Sequence, residues 1–151
     1  MSRILITGEN GFVGSNLVES LKINHNIFFF PKTICSENIK DIQKIESVDI
    51  LIHCAAKNNI IKSWENYDDL IQSNIESTKL IIDYCIEKNA SLIFISSYLY
   101  GNTKILPTPE TEKLEPSNPY ALSKKICEEL CIFYRENCGL KVTIIRPFNI
   151  Y

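Results

Sequence analysis

Short apolar runs alternate with longer amphipathic stretches along this chain. Arg3–Thr7 (RILIT) has the pattern of a strand and ends at a glycine-rich turn. Phe12–Lys22 follows with Val13, Leu17 and Leu21 four residues apart, which puts them on one face of a helix. Asn26–Phe30 (NIFFF) is a short strand stopped by Pro31. Val48–His53 (VDILIH) is close to a continuous apolar run, as in a strand covered on both sheet faces. Asn66–Glu87 predicts a long helix with Ile71, Ile75, Thr78, Ile82 and Cys85 as its inner stripe. Ser91–Ile95 (SLIFI) is another buried strand and Val142–Ile145 the last one. Between them, Pro119–Asn137 predicts a second long helix. Ser117 or Asn118 can cap it, Pro119 suits its first turn and Gly139 can end it. The stretch from Pro31 to Ser47 has room for one helix, around Asn38–Glu46, and the extra strand of a full half-fold is expected to be vestigial or missing.

Strands alternating with helices predict an α/β fold: a Rossmann-like, doubly wound parallel sheet with helices on both faces. Ligands of such sheets bind beyond the carboxyl ends of the strands. The candidate functional stretches all fall there: Gly8–Gly14, Cys54–Lys57, Ser96–Gly101 and Arg146–Tyr151.

Composition narrows the function classes. The chain of 151 residues suits one domain, and 45% apolar with 23% charged residues is ordinary for a globular protein. A net charge of -2 gives no reason to expect a nucleic-acid or acidic-membrane partner. The amino terminus does not read as a signal peptide, and no apolar run approaches the roughly 20 residues of a membrane span. The 6 cysteines, without a secretion signal, are expected to be reduced thiols in the cytoplasm. Cys127 and Cys131 share a helix face, but His25 and His53 lie far from them in sequence, so no metal site is expected.

Two motifs carry chemistry. ITGENGFVGSN places Gly8, Gly11 and Gly14 three residues apart between a strand and a helix. A diphosphate needs bare backbone N–H groups within hydrogen-bond reach, and the helix start beyond adds roughly half a positive charge. No Gly-Lys-Ser/Thr follows, which excludes a P-loop. In SNPYALSK, Tyr120 and Lys124 stand four apart on one helix face, with Cβ atoms about 5–6 Å apart. Bringing a phenol from about 10 to about 7 takes roughly 4 kcal/mol of preference for phenolate. One cation about 4 Å away supplies about that at an effective dielectric near 20. The spacing therefore suits general acid–base chemistry.

These motifs resemble, in order along the chain, those of the extended short-chain dehydrogenase/reductase family, the nucleotide-sugar epimerases, dehydratases and reductases. TGENGFVG resembles the family's glycine signature and HCAA (His53–Ala56) its HLAA-type stretch. NIEST (Asn74–Thr78) resembles NxxGT, with Ser77 in place of Gly. SSYLYG resembles SSxxVYG, PYALSK carries YxxxK, and RPFNIY resembles RPFNVYGP. The resemblance implies catalytic Ser97, Tyr120 and Lys124, with Ser96 competing for the place of Ser97. It implies NAD or NADP as cofactor, held by Gly8, Gly11, Phe12, Val13, Gly14, Ala55, Ala56, Asn74, Tyr120, Lys124, Pro147 and Asn149. It also implies a nucleotide-sugar substrate and a homodimer formed through the helices at 66–87 and 119–137.

The departures matter as well. The second strand ends Phe30-Pro31-Lys32, without the acid that holds the adenosine ribose in NAD enzymes, and Lys32 could face a 2′-phosphate instead. Tyr98-Leu99 stands where the family's dehydratases carry Asp-Glu, which argues against a 4,6-dehydratase. The chain stops inside RPFNIY, so the family's carboxyl-terminal substrate domain is expected to be missing. An epimerase or epimerase/reductase is the leading reading. A non-catalytic dinucleotide-binding module and a ligand-free structural domain stay open beside it.

Overall fold

A computed structural model describes residues 1–30, 42, 44–58 and 64–150. Five parallel strands form one sheet: β1 (Arg3–Thr7), β2 (Asn26–Phe29), β3 (Ile50–His53), β4 (Ser91–Ile95) and β5 (Val142–Ile145), in spatial order β2-β1-β3-β4-β5. The chain leaves β1 for β2 on one side and later returns to β3 on the other, so the order reverses at β1 and opens a crevice there. Register follows the apolar positions, with Ile4 beside Ile27 and Ile50, and Leu92 beside Leu51 and Val142.

Side chains of a strand alternate between faces, and the core divides accordingly. Leu5, Leu51, Leu92 and Phe94 face α2 (Tyr67–Lys88) and α3 (Pro119–Cys138), packing with Ile81, Ile82, Tyr84, Cys127 and Cys131. Ile4, Ile6 and Ile52 face α1 (Phe12–Leu21) and meet Leu17, Val18 and Leu21. Capping of α3 follows the sequence: Asn118 Oδ1 accepts from the Ala121 N–H at 2.8 Å, Pro119 fills the first turn, and Gly139 ends the helix at φ +73°.

Three expectations need adjusting. The inner stripe of α2 is wider than predicted. Leu70, Asn74, Ser77, Thr78, Ile81, Ile82, Tyr84 and Cys85 are buried, while Ile71 and Ile75 are only half-buried. A helix wedged between a sheet and a second helix buries a broad face, and its first half fills that face with polar side chains. The third strand begins at Ile50 rather than Val48, although Val48 is buried and Asp49 still continues the ladder through its N–H to Arg3 O at 2.9 Å. Of the helix expected over Asn38–Glu46, residues 38–41 and 43 lie outside the described residues; Ile42 is helical and a core residue, while Lys44, Ile45 and Glu46 are not helical.

The five described cysteines are free thiols, and no cluster among the described residues could hold a metal ion. Burial pushes the Cys85 and Cys131 thiols up to about 12, which makes them inert apolar filling. Among the described residues no helix is long and apolar enough to cross a membrane.

Candidate active site

The turn after β1 is shaped by what its glycines lack. Gly8 has φ +75°, and a Cβ there would lie 2.7 Å from the Ala55 nitrogen. A Cβ on Gly14 would collide with the backbone of Gly8. The turn is closed by the Gly11 N–H donating to Gly8 O at 2.9 Å. Helix α1 then starts with no side-chain cap and no acidic residue in its first turn. Its first N–H groups and the positive end of its dipole therefore face the crevice uncompensated.

The crevice is a cavity of about 500 Å³ at the carboxyl ends of the strands. Nearly every residue singled out from sequence lines it: Gly8, Gly11, Phe12, Val13, Gly14, Ala55, Ala56, Asn74, Ser97, Tyr120, Lys124 and Pro147. Asn149 does not; it is exposed, and Phe148 takes the lining position beside Pro147. Lys32 lies outside the described residues. Lys57 and Phe148 line it from within the expected stretches, whereas Phe30, Asn58, Ser73 and Ser77 were not singled out as lining residues. Only position after a strand or on the inner face of α2 could have flagged them.

Below the cavity, buried polar groups tie the elements together. The Thr7 hydroxyl and His53 Nδ1 are 2.7 Å apart, His53 Nε2 is 3.4 Å from the Thr78 hydroxyl, and the Ala55 N–H donates to Thr7 Oγ1 at 3.3 Å. Burial, with the Lys124 charge adding to it, lowers His53 to about 3, so it stays neutral and joins β1, β3 and α2. Asn74 is a second tie. Its Oδ1 accepts from the Lys57 N–H at 2.8 Å, and its Nδ2 donates to Lys57 O at 3.1 Å and to Ser123 Oγ at 2.9 Å. The Ser123 hydroxyl donates in turn to Tyr120 O at 2.7 Å. A third is ionic. Arg146 Nε and Nη2 grip the buried Glu128 carboxylate at 3.0 and 2.6 Å, and Nη1 donates to the Tyr100 hydroxyl at 2.9 Å. This fixes the backbone that leads into Pro147 and Phe148.

Tyr120 and Ser97 both line the cavity. Burial raises the Tyr120 phenol above its ordinary value, while the bond to Ser97 acts the other way. Lys124 lies one turn further on, 2% exposed, with its ammonium over the Phe94 ring at 4.3 Å from the centroid. Burial lowers Lys124 to about 8 against the pull of Cys127, Cys54 and Glu128. This corrects the electrostatic expectation from sequence. Burial acts on both groups, and without a bound cofactor it holds the phenol above its ordinary value, the opposite direction from the lowering expected from the Tyr–Lys spacing. Ser96, next to Ser97, is 4% exposed and its hydroxyl has no hydrogen-bond partner.

A bare-backbone turn that a Cβ would fill, an uncompensated helix start and an orphaned hydroxyl in one cavity fit a dinucleotide. They define the class: a doubly wound nucleotide-binding domain with its crevice at the switch point of the sheet. The chain belongs to the NAD dependent epimerase/dehydratase family, whose sequence model matches residues 4–151. Among curated proteins, a putative UDP-glucose 4-epimerase of Methanocaldococcus jannaschii is 30% identical over 98% of this chain and 56% of its own length. Among solved structures, RMD from Pseudomonas aeruginosa complexed with NADPH superposes with a TM-score of 0.88 at 27% identity, over 99% of this chain and 55% of that one. UDP-glucose 4-epimerase from Brucella ovis in complex with NAD superposes with a TM-score of 0.86 at 25% identity, over 99% and 52%. The chain thus spans about half the length of the relatives it matches.

Proposed function

We propose that these residues form the cofactor-binding part of an NAD(P)-dependent nucleotide-sugar epimerase or epimerase/reductase. The observation that carries the reading is the Tyr120–Ser97 hydroxyl pair in the same cavity as the Gly8–Gly14 turn. The turn and the first N–H groups of α1 would hold the diphosphate, and Ala55, Ala56 and Pro147 would border the rest of the dinucleotide. A bound nicotinamide supplies the place where a hydride is taken up and returned. Tyr120 takes or gives the proton of a sugar hydroxyl at its phenolic oxygen, and Ser97 orients that oxygen. Lys124 stays largely protonated at neutral pH and provides the nearby positive charge. Tyr98 donates its hydroxyl to Gly101 O and Leu99 is buried, so neither offers a carboxylate for eliminating water.

Relatives bind NADPH in one case and NAD in another, and UDP-glucose in a Thermotoga maritima epimerase; these set the ligand classes to try. The free thiols support a cytoplasmic setting. Exposed Tyr67, Leu122 and Phe133 on α2 and α3 support a homodimer, which sedimentation can test.

The test has two parts. Calorimetric titration with NAD and with NADP should give saturable heat with at least one of them. In the full chain, Tyr120→Phe should lower turnover of nucleotide sugars roughly 10²–10⁴-fold while leaving cofactor binding intact. Unchanged turnover in that variant would remove Tyr120 from the chemistry. The raised Tyr120 phenol favours a second reading, a dinucleotide-binding module without turnover, in which wild type and variant alike bind cofactor and turn nothing over.

A further inference from the structure

The cavity runs along the carboxyl ends of the strands, and charge is unevenly placed along it. Ser97, Tyr120, Lys124 and Pro147 line it on the β4 and β5 side, and Phe30 lines it on the β2 side, beyond the Gly8–Gly14 turn. Neighbouring strands lie about 4.7–4.9 Å apart, so β4, two places from β1 in the sheet, stands roughly 10 Å from the turn. A dinucleotide with its nicotinamide near Tyr120 and its diphosphate on the turn lays its adenosine ribose on the β2 side. The strand end there offers no side-chain acceptor. Strand β2 closes with Phe28 and Phe29, and Phe30 after it is buried. Among the described residues lining the cavity, Glu9 is the one acid, and it follows Gly8 in the turn. It is half-buried, and the Asn10 amide donates to its Oε1 at 2.9 Å, which ties the carboxylate to the turn. A carboxylate has about four acceptor sites, so that one bond leaves it open to a ligand hydroxyl. Of the two lysines that line the cavity, Lys57 pairs with Asp69 at 2.7 Å and Lys124 lies over the Phe94 ring.

We propose that the Glu9 carboxylate accepts a hydrogen bond from the 2′-hydroxyl of the adenosine ribose and thereby sets a preference for NAD over NADP. The turn carries the acid that the end of β2 lacks. In NADP that hydroxyl is replaced by a phosphate with about −1.5 to −2 charges, which meets the carboxylate with like charge and loses the bond. The positive start of α1 attracts either cofactor through its diphosphate and does not separate the two. Lys32, which the sequence offers as a partner for the 2′-phosphate, lies outside the described residues. The inference rests on the dinucleotide-binding reading above and narrows it to one cofactor. Glu9 is a specificity residue here and takes no part in proton or hydride transfer.

The experiment titrates wild type and Glu9→Gln calorimetrically with NAD, NADP and the 2′-deoxyadenosine analogue of NAD. Wild type should bind NAD roughly ten- to hundredfold more tightly than the deoxy analogue, the range of a hydrogen bond to a charged group, and should bind NADP more weakly than NAD. Glu9→Gln keeps the size of the side chain and removes its charge. It should weaken NAD, strengthen NADP and narrow the gap between NAD and the analogue, because the group that reads the hydroxyl has changed. Wild type that prefers NADP, or that binds the deoxy analogue as tightly as NAD, overturns the proposal. So does a variant that keeps the wild-type ratio of NAD to NADP affinity. The three ligands compared on wild type decide the matter even where the variant fails to fold. Wild type that binds none of the three overturns the dinucleotide reading itself, and this inference falls with it.

Discussion

At the scale of single residues, the site combines groups that folding alone would not favour. Lys124 is nearly fully buried and its pKa falls from 10.5 to about 8. A base whose folded-state pKa is depressed binds fewer protons folded than unfolded, so its destabilising effect is complete below about pH 8 and fades as pH rises towards 10.5. Lys124→Met should therefore be more stable than wild type at pH 7, by of order 3 kcal/mol at most, and the difference should vanish by about pH 10.5. Urea unfolding of both proteins at a series of pH values measures this. A pH-independent difference would mean that lost packing, not charge, dominates. Gly14→Ala should behave in the opposite way. Its Cβ would meet the Gly8 backbone, so a loss of about 1–3 kcal/mol or more is expected together with loss of cofactor binding. Both residues were legible in the sequence because a glycine spacing and a Tyr–Lys spacing are local. The lowered pKa of Lys124 was not, because it comes from burial among groups that only the fold brings together, Phe94 and Cys54 among them.

Among the elements, strands were the easiest to read. Ser91–Ile95 and Val142–Ile145 match to the residue, since each is a short run with definite ends, although β5 at the sheet edge leaves Thr143 and Ile145 exposed. Helix α3 was readable for a different reason: its cap, its first-turn proline and its terminal glycine are each chemical punctuation. The inner stripe of α2 was harder, because Asn74 and Ser77 are polar residues with buried partners and a hydrophobicity pattern discounts them. The pairing of Glu128 with Arg146 was also hidden, since the partners come from different elements. Replacing Glu128 by Gln removes one charge of a pair whose acid is 1% exposed, and should cost about 3–5 kcal/mol in urea unfolding. Replacing both residues by methionine should cost less than the sum of the two single changes. An additive double variant would show that the two side chains do not act as a pair.

For the whole molecule, topology gathers the site. Gly8, Ala55, Ser97 and Pro147 are far apart in sequence, yet each follows the carboxyl end of a strand in a parallel sheet, so all reach one cavity. That much was legible without coordinates. What could not be read was that Phe148 rather than Asn149 lines the crevice, since that turns on a single rotation of the chain. A dinucleotide that binds only the folded state should protect it. At a hundred times its dissociation constant the gain is about 2.7 kcal/mol, visible as a rise of several degrees in the thermal midpoint, and Gly14→Ala should abolish that rise.

The amide of Asn74 behaves like a borrowed peptide group, bonding both the N–H and the C=O of Lys57 on one side and Ser123 on the other. The wall after β3 and the wall carrying Tyr120 are thereby pinned to a common point, and neither can swing without dragging the other. Any opening of the crevice to admit a long ligand must therefore move both walls together or use a margin that Asn74 does not tie, such as the segment after Arg146, where Phe148 packs against the Tyr98 and Tyr100 rings.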